Sequence, residues 1–345
     1  MRLKIPSLLN LFLPFITITM AFSIGAILLL ITGVNPIYAY WTLFIGAFGS
    51  LHAIAETLVK TTPFIIIGLG IAIAFKCKFW NIGAEGQLVI GAILATWIGI
   101  VLKSMPPLLV IPLAMILGFL GGALWAIMPA LFKVKFGIND IITTLMMNYL
   151  ATLGLNYLVR GPLIDPYGYG FPQSPLLPSS ILLPKLIPGT RLHSGVLMAL
   201  LLAIVAYIIL EKSILGYKLK VVGENPDAAR YSGINVTLNI LISAILSGGL
   251  AGIAGMIEIY GVHKRLLDGI SGGFGYIGIP IALVGGLSPI GIIGSALFFA
   301  SLFVGADAMQ RSTAIPINLV YAIEGLIMLF ITLSEYLRRK YLRSW

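Results

Sequence analysis

The sequence predicts an all-α, polytopic membrane protein of about ten transmembrane helices with two related halves. Three observations predict it. Hydrophobic residues make up 59% of the 345 and charged residues only 10%, against roughly 25% charged in soluble domains, and mean hydropathy is +1.04. Several stretches free of ionisable groups reach the roughly 20 residues that a helix needs to cross a hydrocarbon core about 30 Å thick. Lastly, a glycine-broken apolar segment at 79–92, Phe-Trp-Asn-Ile-Gly-Ala-Glu-Gly-Gln-Leu-Val-Ile-Gly-Ala, has a counterpart at 270–279, Ile-Ser-Gly-Gly-Phe-Gly-Tyr-Ile-Gly-Ile.

In chain order the predicted spans are 9–32, 53–75, 84–102, 107–131, 139–159, 194–211, 238–261, 274–287, 290–306 and 315–334. Met1-Arg2-Leu3-Lys4 before an apolar run looks like the start of a signal peptide. The run continues to about Ile31 with no small-residue cleavage site, past the usual signal core of roughly 7–15 residues, and is read as a retained first helix. Gly269 to Ala306 carries no charge. It is too long for one crossing, and Ser288-Pro289 supplies a turn, so two short helices are expected.

Residues 160–193 hold Pro162, Pro166, Pro172, Pro175, Pro178, Pro184 and Pro188 and are expected to form an irregular external loop packed partly on helix ends. The 212–237 connection is expected to be a structured cytoplasmic loop. Sidedness follows from charge. With the N-terminus inside, Lys76, Lys78, Lys133, Lys135, the Lys212–Arg230 segment and Arg338-Arg339-Lys340 all fall inside. With Arg2, Lys4 and Arg343 that places 14 of the 22 Lys and Arg there and 8 (Lys60, Lys103, Arg160, Lys185, Arg191, Lys264, Arg265, Arg311) outside, as the positive-inside rule asks. Both termini are then cytoplasmic, and 1–345 reads as a single transmembrane domain of the cell membrane.

These clusters account for the net charge of +10 without a basic face for nucleic acid. Cys77 is the single cysteine and His52, His193 and His263 are scattered, so neither a disulfide nor a metal site is expected. The chain has no Gly-x-x-x-x-Gly-Lys-Ser/Thr phosphate loop and no Ser-His-Asp or Cys-His arrangement, so no catalytic residues and no bound cofactor are expected. Polar residues at membrane depth, Glu56, Glu85, Asp140, Asn148, Glu258, Asp307 and Glu324, are costly in lipid and face water, a partner or an interface. Asn81, Glu85 and Gln87 stand out because they flank Gly83 and Gly86 in the broken segment. Interrupted helices in corresponding positions point to a substrate pathway, although such glycines also serve close helix packing. Trp80 and Phe274 supply aromatic faces beside them.

Gly223-Glu-Asn-Pro-Asp-Ala-Ala-Arg-Tyr-Ser-Gly-Ile234 reads as a short helix. Asn225 can cap it, Pro226 suits the first position, Asp227 favours the positive dipole end and Gly233 stops it. This segment resembles the coupling loop of ATP-binding-cassette (ABC) importer permeases, in which a helix of the type Asn-Pro-x-Ala-Ala-x-x-x-Gly-Ile fits a groove on the ATPase. Gly223, Asn225, Pro226, Ala228, Ala229, Gly233 and Ile234 match as they stand. With Asn81-Ile-Gly-Ala-Glu-Gly-Gln87 and Gly137-Ile-Asn-Asp-Ile-Ile-Thr-Thr-Leu-Met-Met-Asn-Tyr149, nearly the whole chain resembles the branched-chain amino acid, ribose and nucleoside permease family. It is most similar to nucleoside or simple-sugar permeases that work with basic-membrane-protein lipoproteins. Ribose permeases carry an acidic Gly-Gly-Ile-Asp-Leu-Ser-type segment where this chain has Trp80 to Glu85, and that departure favours nucleosides.

The resemblance implies a type II importer fold of ten helices, with helices 2 to 5 related to 7 to 10. Partner ATPase subunits use the ATP. A second permease, a shorter paralogue, and an extracellular lipoprotein receptor complete the assembly. Trp80, Asn81, Glu85, Gln87, Asn148 and Phe274 are then expected along the substrate pathway. Ribose or branched-chain amino acids are alternative substrates. An ion-coupled secondary transporter is a further alternative, motivated by the intramembrane acids but leaving the capped helix unexplained. An intramembrane enzyme or scaffold needs side chains that no spacing here forces together.

Overall fold

In the computed structural model, the backbone is described for residues 7–342 and the side chains for 19–330 and 332–334. The predicted cytoplasmic start Met1–Lys4 and the side chains of Arg338, Arg339 and Lys340 lie outside the described residues. The helices are α1 (Ser7–Ile31), α2 (Pro36–Phe48), α3 (Leu51–Lys76), α4 (Ala84–Val101), α5 (Pro107–Phe136), α6 (Asp140–Arg160), α7 (Gly195–Tyr207), α8 (Ile214–Glu224), α9 (Pro226–Tyr231), α10 (Val236–Ile257), α11 (Phe274–Val284), α12 (Pro289–Thr313) and α13 (Ile317–Leu342). A π turn extends α7 through Lys212 and another extends α10 through His263. Among the described residues there is no strand, only the isolated bridges Gln173–Leu267 and Lys185–His193.

Each of the ten predicted spans falls on a helix. By length and apolarity, however, seven helices among the described residues qualify to cross a membrane, or eight if α1 and α2, bent by 118°, form one span. Ten crossings are not reached because α6 carries Asp140, Thr144, Asn148 and Asn156 along its length, and α11 has only 11 residues. Helix α2 is not among the predicted spans. It starts with the device that starts α9: an asparagine, Asn35, accepts from the N–H groups of Ile37 and Tyr38, with Pro36 at the first position.

The chain divides into two compact units, one built from residues up to Lys60 and from Leu297 onward, the other from 61–296. In the first, α1 packs on α13, and Tyr40 donates to the Phe22 carbonyl at 2.6 Å while its ring meets Phe22 edge-on. Gly46 lies against Ala308.

In the second, α4, α5 and α10 pack most closely. Gly122 and Gly118 of α5 meet the backbone of Gly248 and Gly252 of α10, and Gly91 of α4 meets Gly252. Any side chain at these points would hold the helices apart, and in lipid close van der Waals contact is the main force that joins helices. Residues 61–75 of α3 are all buried, so this stretch presents protein on every side. The 161–194 segment folds back on the end of α10. Ser174 N–H donates to Leu266, Leu177 N–H to Lys264 and Leu183 N–H to Tyr260, and Tyr260 donates its hydroxyl to Ala95 at 2.9 Å. His193 is buried in this packing, accepting from Gly195 N–H at its Nδ1. Burial holds its pKa below the ordinary imidazole value, and the nearby Glu258 charge pulls the other way.

Candidate functional site

The chain stops being helical at Lys76 and resumes at Ala84, and what it does between these points defines the site. Lys78 adopts a left-handed conformation (φ 51°), which reverses the backbone and exposes Trp80 to 41% while Asn81 becomes fully buried. Backbone polar groups in a gap between helices need partners at membrane depth, and side chains from α5 and α6 supply them. Asp140, the first residue of α6, accepts from Trp80 N–H at 2.7 Å and from Lys133 Nζ at 2.6 Å. Lys133 also donates to the Lys78 carbonyl at 2.6 Å. Thr144 accepts from Ile82 N–H at 3.2 Å. Asn148 accepts from Gly86 N–H and donates to the Ile82 carbonyl and the Tyr276 hydroxyl. The one-turn spacing of 140, 144 and 148 puts all three on one face of α6, and that face replaces the missing helix.

Asn81 and Gln87 form a reciprocal amide pair. Each Nδ2 or Nε2 donates to the other's oxygen at 2.8 and 2.9 Å, and Asn81 reaches Ser247 of α10 at 2.8 Å. Glu85, in the first turn of α4, accepts from the N–H groups of Gly273 and Gly275 at 3.0 and 2.7 Å. A carboxylate suits that place, where the first N–H groups of α11 have no helical partner. Gly275 lies so close to the backbone of Glu85 that only glycine fits. The two glycine-broken segments noted in the sequence are thus in direct contact.

A helical hairpin is fastened to the same joint. Asn225 accepts from the N–H groups of Asp227 and Ala228 and starts α9, with Pro226 at its first position. Gly233 ends it at φ +75°, with Ile234 N–H returning to the Ala229 carbonyl. Ala229 is buried, whereas Tyr231 is 95% exposed. The last turn of α8 presses on the end of α3, because Gly223 sits against the carbonyl of Lys76 and beside Cys77. Lys78 Nζ donates to the Glu224 carbonyl at 3.3 Å, and Glu211 receives both Lys76 and Lys220 at 2.7 Å. Cys77 is buried at this contact. Burial pushes its thiol pKa up, against a hydrogen bond to Ser243 and the charge of Lys133.

Of the predicted pathway residues, Asn81, Glu85, Gln87 and Asn148 are all buried at the break between α3 and α4, Asn81 paired with Gln87, Asn148 on the Ile82 and Gly86 backbone and Glu85 on the start of α11. Phe274 is buried edge-on to Phe64 (5.3 Å), and Trp80 packs on Phe75 (4.7 Å) while keeping an open face. Glu56 lies 3.9 Å from His52 and Glu258 lies 3.5 Å from His263. Glu324 is buried and Asp307 exposed. Among the described residues no three His, Cys, Asp or Glu side chains converge as a metal site would require. Sequence reading did not single out Thr144, Ser247 or Tyr276, and took Lys133 only as a topogenic charge. The available signal for Lys133 was its place in the last turn of α5, one short turn ahead of Asp140.

The class of protein is now defined: a multi-pass helical membrane protein whose interrupted helices are braced by buried amides and carboxylates and tied to a capped hairpin. The family described as branched-chain amino acid transport system / permease component matches residues 53–332, and the chain belongs to it. It is 34% identical to a glucose ABC transporter permease protein of Haloferax volcanii over 98% of this chain and 91% of that one. It is 34% identical to a guanosine ABC transporter permease protein of Bacillus subtilis over 95% of each. It is 33% identical to a nucleoside ABC transporter permease protein of Lactococcus lactis over 93% of this chain and 90% of that one. No solved structure matches.

Proposed function

We propose that this chain is the membrane-spanning subunit of an ABC importer that passes nucleosides into the cytoplasm. The capped α9, joined through Asn225 to α8, whose Gly223 sits against the end of α3, is the observation that carries the importer reading. A rigid exposed helix, tied by hydrogen bonds to a break in the bundle, can convey a partner's movement to the membrane interior, and an ion-coupled transporter would not need it. The substrate reading rests on the likeness to the guanosine permease of Bacillus and the nucleoside permease of Lactococcus.

In this reading both termini, the 212–237 loop and the joint face the cytoplasm, and 160–193 is external. Helices α6 and α11 also lie within the membrane, bringing the crossings to about ten. ATPase subunits engage α9 through Asn225 to Ile234, a second and shorter permease completes the pathway, and an external lipoprotein receptor delivers substrate. Trp80 offers its open face to a base. Asn81, Glu85, Gln87 and Asn148, whose partners lie inside the protein, hold the pathway wall and move with it. Phe274 backs the same wall.

Uptake of labelled guanosine, glucose, ribose and leucine into vesicles carrying the chain with its ATPase, sister permease and receptor tests this. Guanosine uptake that requires both ATP and receptor is expected. Glucose uptake with the same requirements would support a second reading favoured by the Haloferax relative, and transport by this chain alone on an ion gradient would sink the importer.

A further inference from the structure

We propose that Lys133 is the positioning residue that couples the α8–α9 hairpin to the broken segment before α4; the inference rests on the importer reading above. Three elements meet at its ammonium group. It lies in the last turn of α5, donates to the Lys78 carbonyl and to Asp140 at 2.6 Å each, and sits 5.7 Å from the centre of the Phe79 ring. Its side chain is 25% exposed and that of Asp140 only 9%, so the pair is largely out of water, where removal of one partner leaves the other without compensation.

Residues 76–80 are gripped from two directions. From α8 come Gly223 on the Lys76 carbonyl and the Glu224 carbonyl on Lys78 Nζ. From α5 and α6 come Lys133 on the Lys78 carbonyl and Asp140 on Trp80 N–H. A displacement of the hairpin therefore reaches Asn81 and Glu85 through a segment whose carbonyl and N–H are both held by one ion pair. Without Lys133, the left-handed Lys78 and its neighbours lose their fixed point on α5, and the hairpin can move while the segment beyond Trp80 stays behind. Lys133 acts through the backbone it holds.

Lys133→Met alone leaves the Asp140 carboxylate short of its charge partner and can fail by misfolding, so the test uses Lys133→Met combined with Asp140→Asn, which keeps an acceptor for Trp80 N–H. The second variant is Lys133→Arg, which keeps the donor. Both are measured in vesicles with the ATPase, sister permease and receptor, on whichever of labelled guanosine or glucose the wild-type assembly takes up. The double variant is expected to insert, capture the ATPase and hydrolyse ATP like wild type, with substrate moved per ATP falling about tenfold, within the range for linked sites; Lys133→Arg restores most of the ratio. An unchanged ratio in the double variant beside a coupled wild type would overturn the proposal alone, and loss of ATPase capture would overturn it by assigning Lys133 to assembly. A wild-type assembly that couples no uptake to ATP would overturn the importer reading together with it.

Discussion

Glu85 accepts two backbone N–H groups from the start of α11 at 2.7 and 3.0 Å, in a site where the carboxylate is 6% exposed. Hydrogen bonds to charged groups contribute more than neutral ones, and orphaned buried donors carry their full desolvation penalty. Glu85→Ala is expected to lower stability by about 2 kcal/mol, and Glu85→Gln, which keeps one acceptor oxygen, by less. Unfolding midpoints in mild detergent measure both, and a wild-type midpoint for Glu85→Ala would mean that the bond pair contributes nothing. The sequence made Glu85, Asn81 and Gln87 conspicuous because polar groups are rare in an apolar run. It could not show that Asn81 meets Ser247 or that Glu85 meets Gly273, since those partners lie 166 and 188 residues away. Lys133 was hidden for another reason: a lysine at a helix end already has a topological explanation, and nothing local marks it as a bridge.

Helix α9 was legible almost residue by residue, because capping is a local interaction: Asn225, Pro226 and Gly233 each perform the backbone role that their chemistry suggests. Its tertiary anchor was not, because Gly223 gives no sign in sequence of which backbone it will press against. At Gly233 a side chain would find open space but the wrong backbone conformation. A β-branched residue there costs about 1–3 kcal/mol. Gly233→Val is expected to leave membrane insertion intact and to weaken ATPase capture about tenfold. Gly233→Asn, which tolerates a left-handed conformation, should capture nearly as well as wild type. Pull-down of the ATPase from detergent extracts distinguishes them, and equal capture by Gly233→Val would separate the α9 cap from docking. Helices α6 and α11 were placed correctly as helices but do not satisfy the apolarity and length of a free-standing span. Their polar faces and shortness reflect neighbours that cover them, which a count of apolar runs cannot anticipate.

For the molecule as a whole, the proposed orientation sets Tyr231 and Tyr169 on opposite sides of the membrane. Both are almost fully exposed, at 95% and 97%, and the single native cysteine is buried, so Cys77→Ser gives a clean background. Tyr231→Cys is expected to react with an impermeant maleimide only from the cytoplasmic side and Tyr169→Cys only from outside. Labelling of both from one side would reverse the reading of the 160–193 and 212–237 loops. The contact between Glu85 and α11 has one further consequence, for biogenesis. At about 5–20 residues per second of synthesis, Gly273 and Gly275 emerge on the order of 10–40 s after Glu85. Until then α4 has a carboxylate in its first turn and no donors from α11, so the helix can settle fully only when the later half of the chain arrives. The bond pair that braces the finished bundle thus also sets the order in which it can be completed.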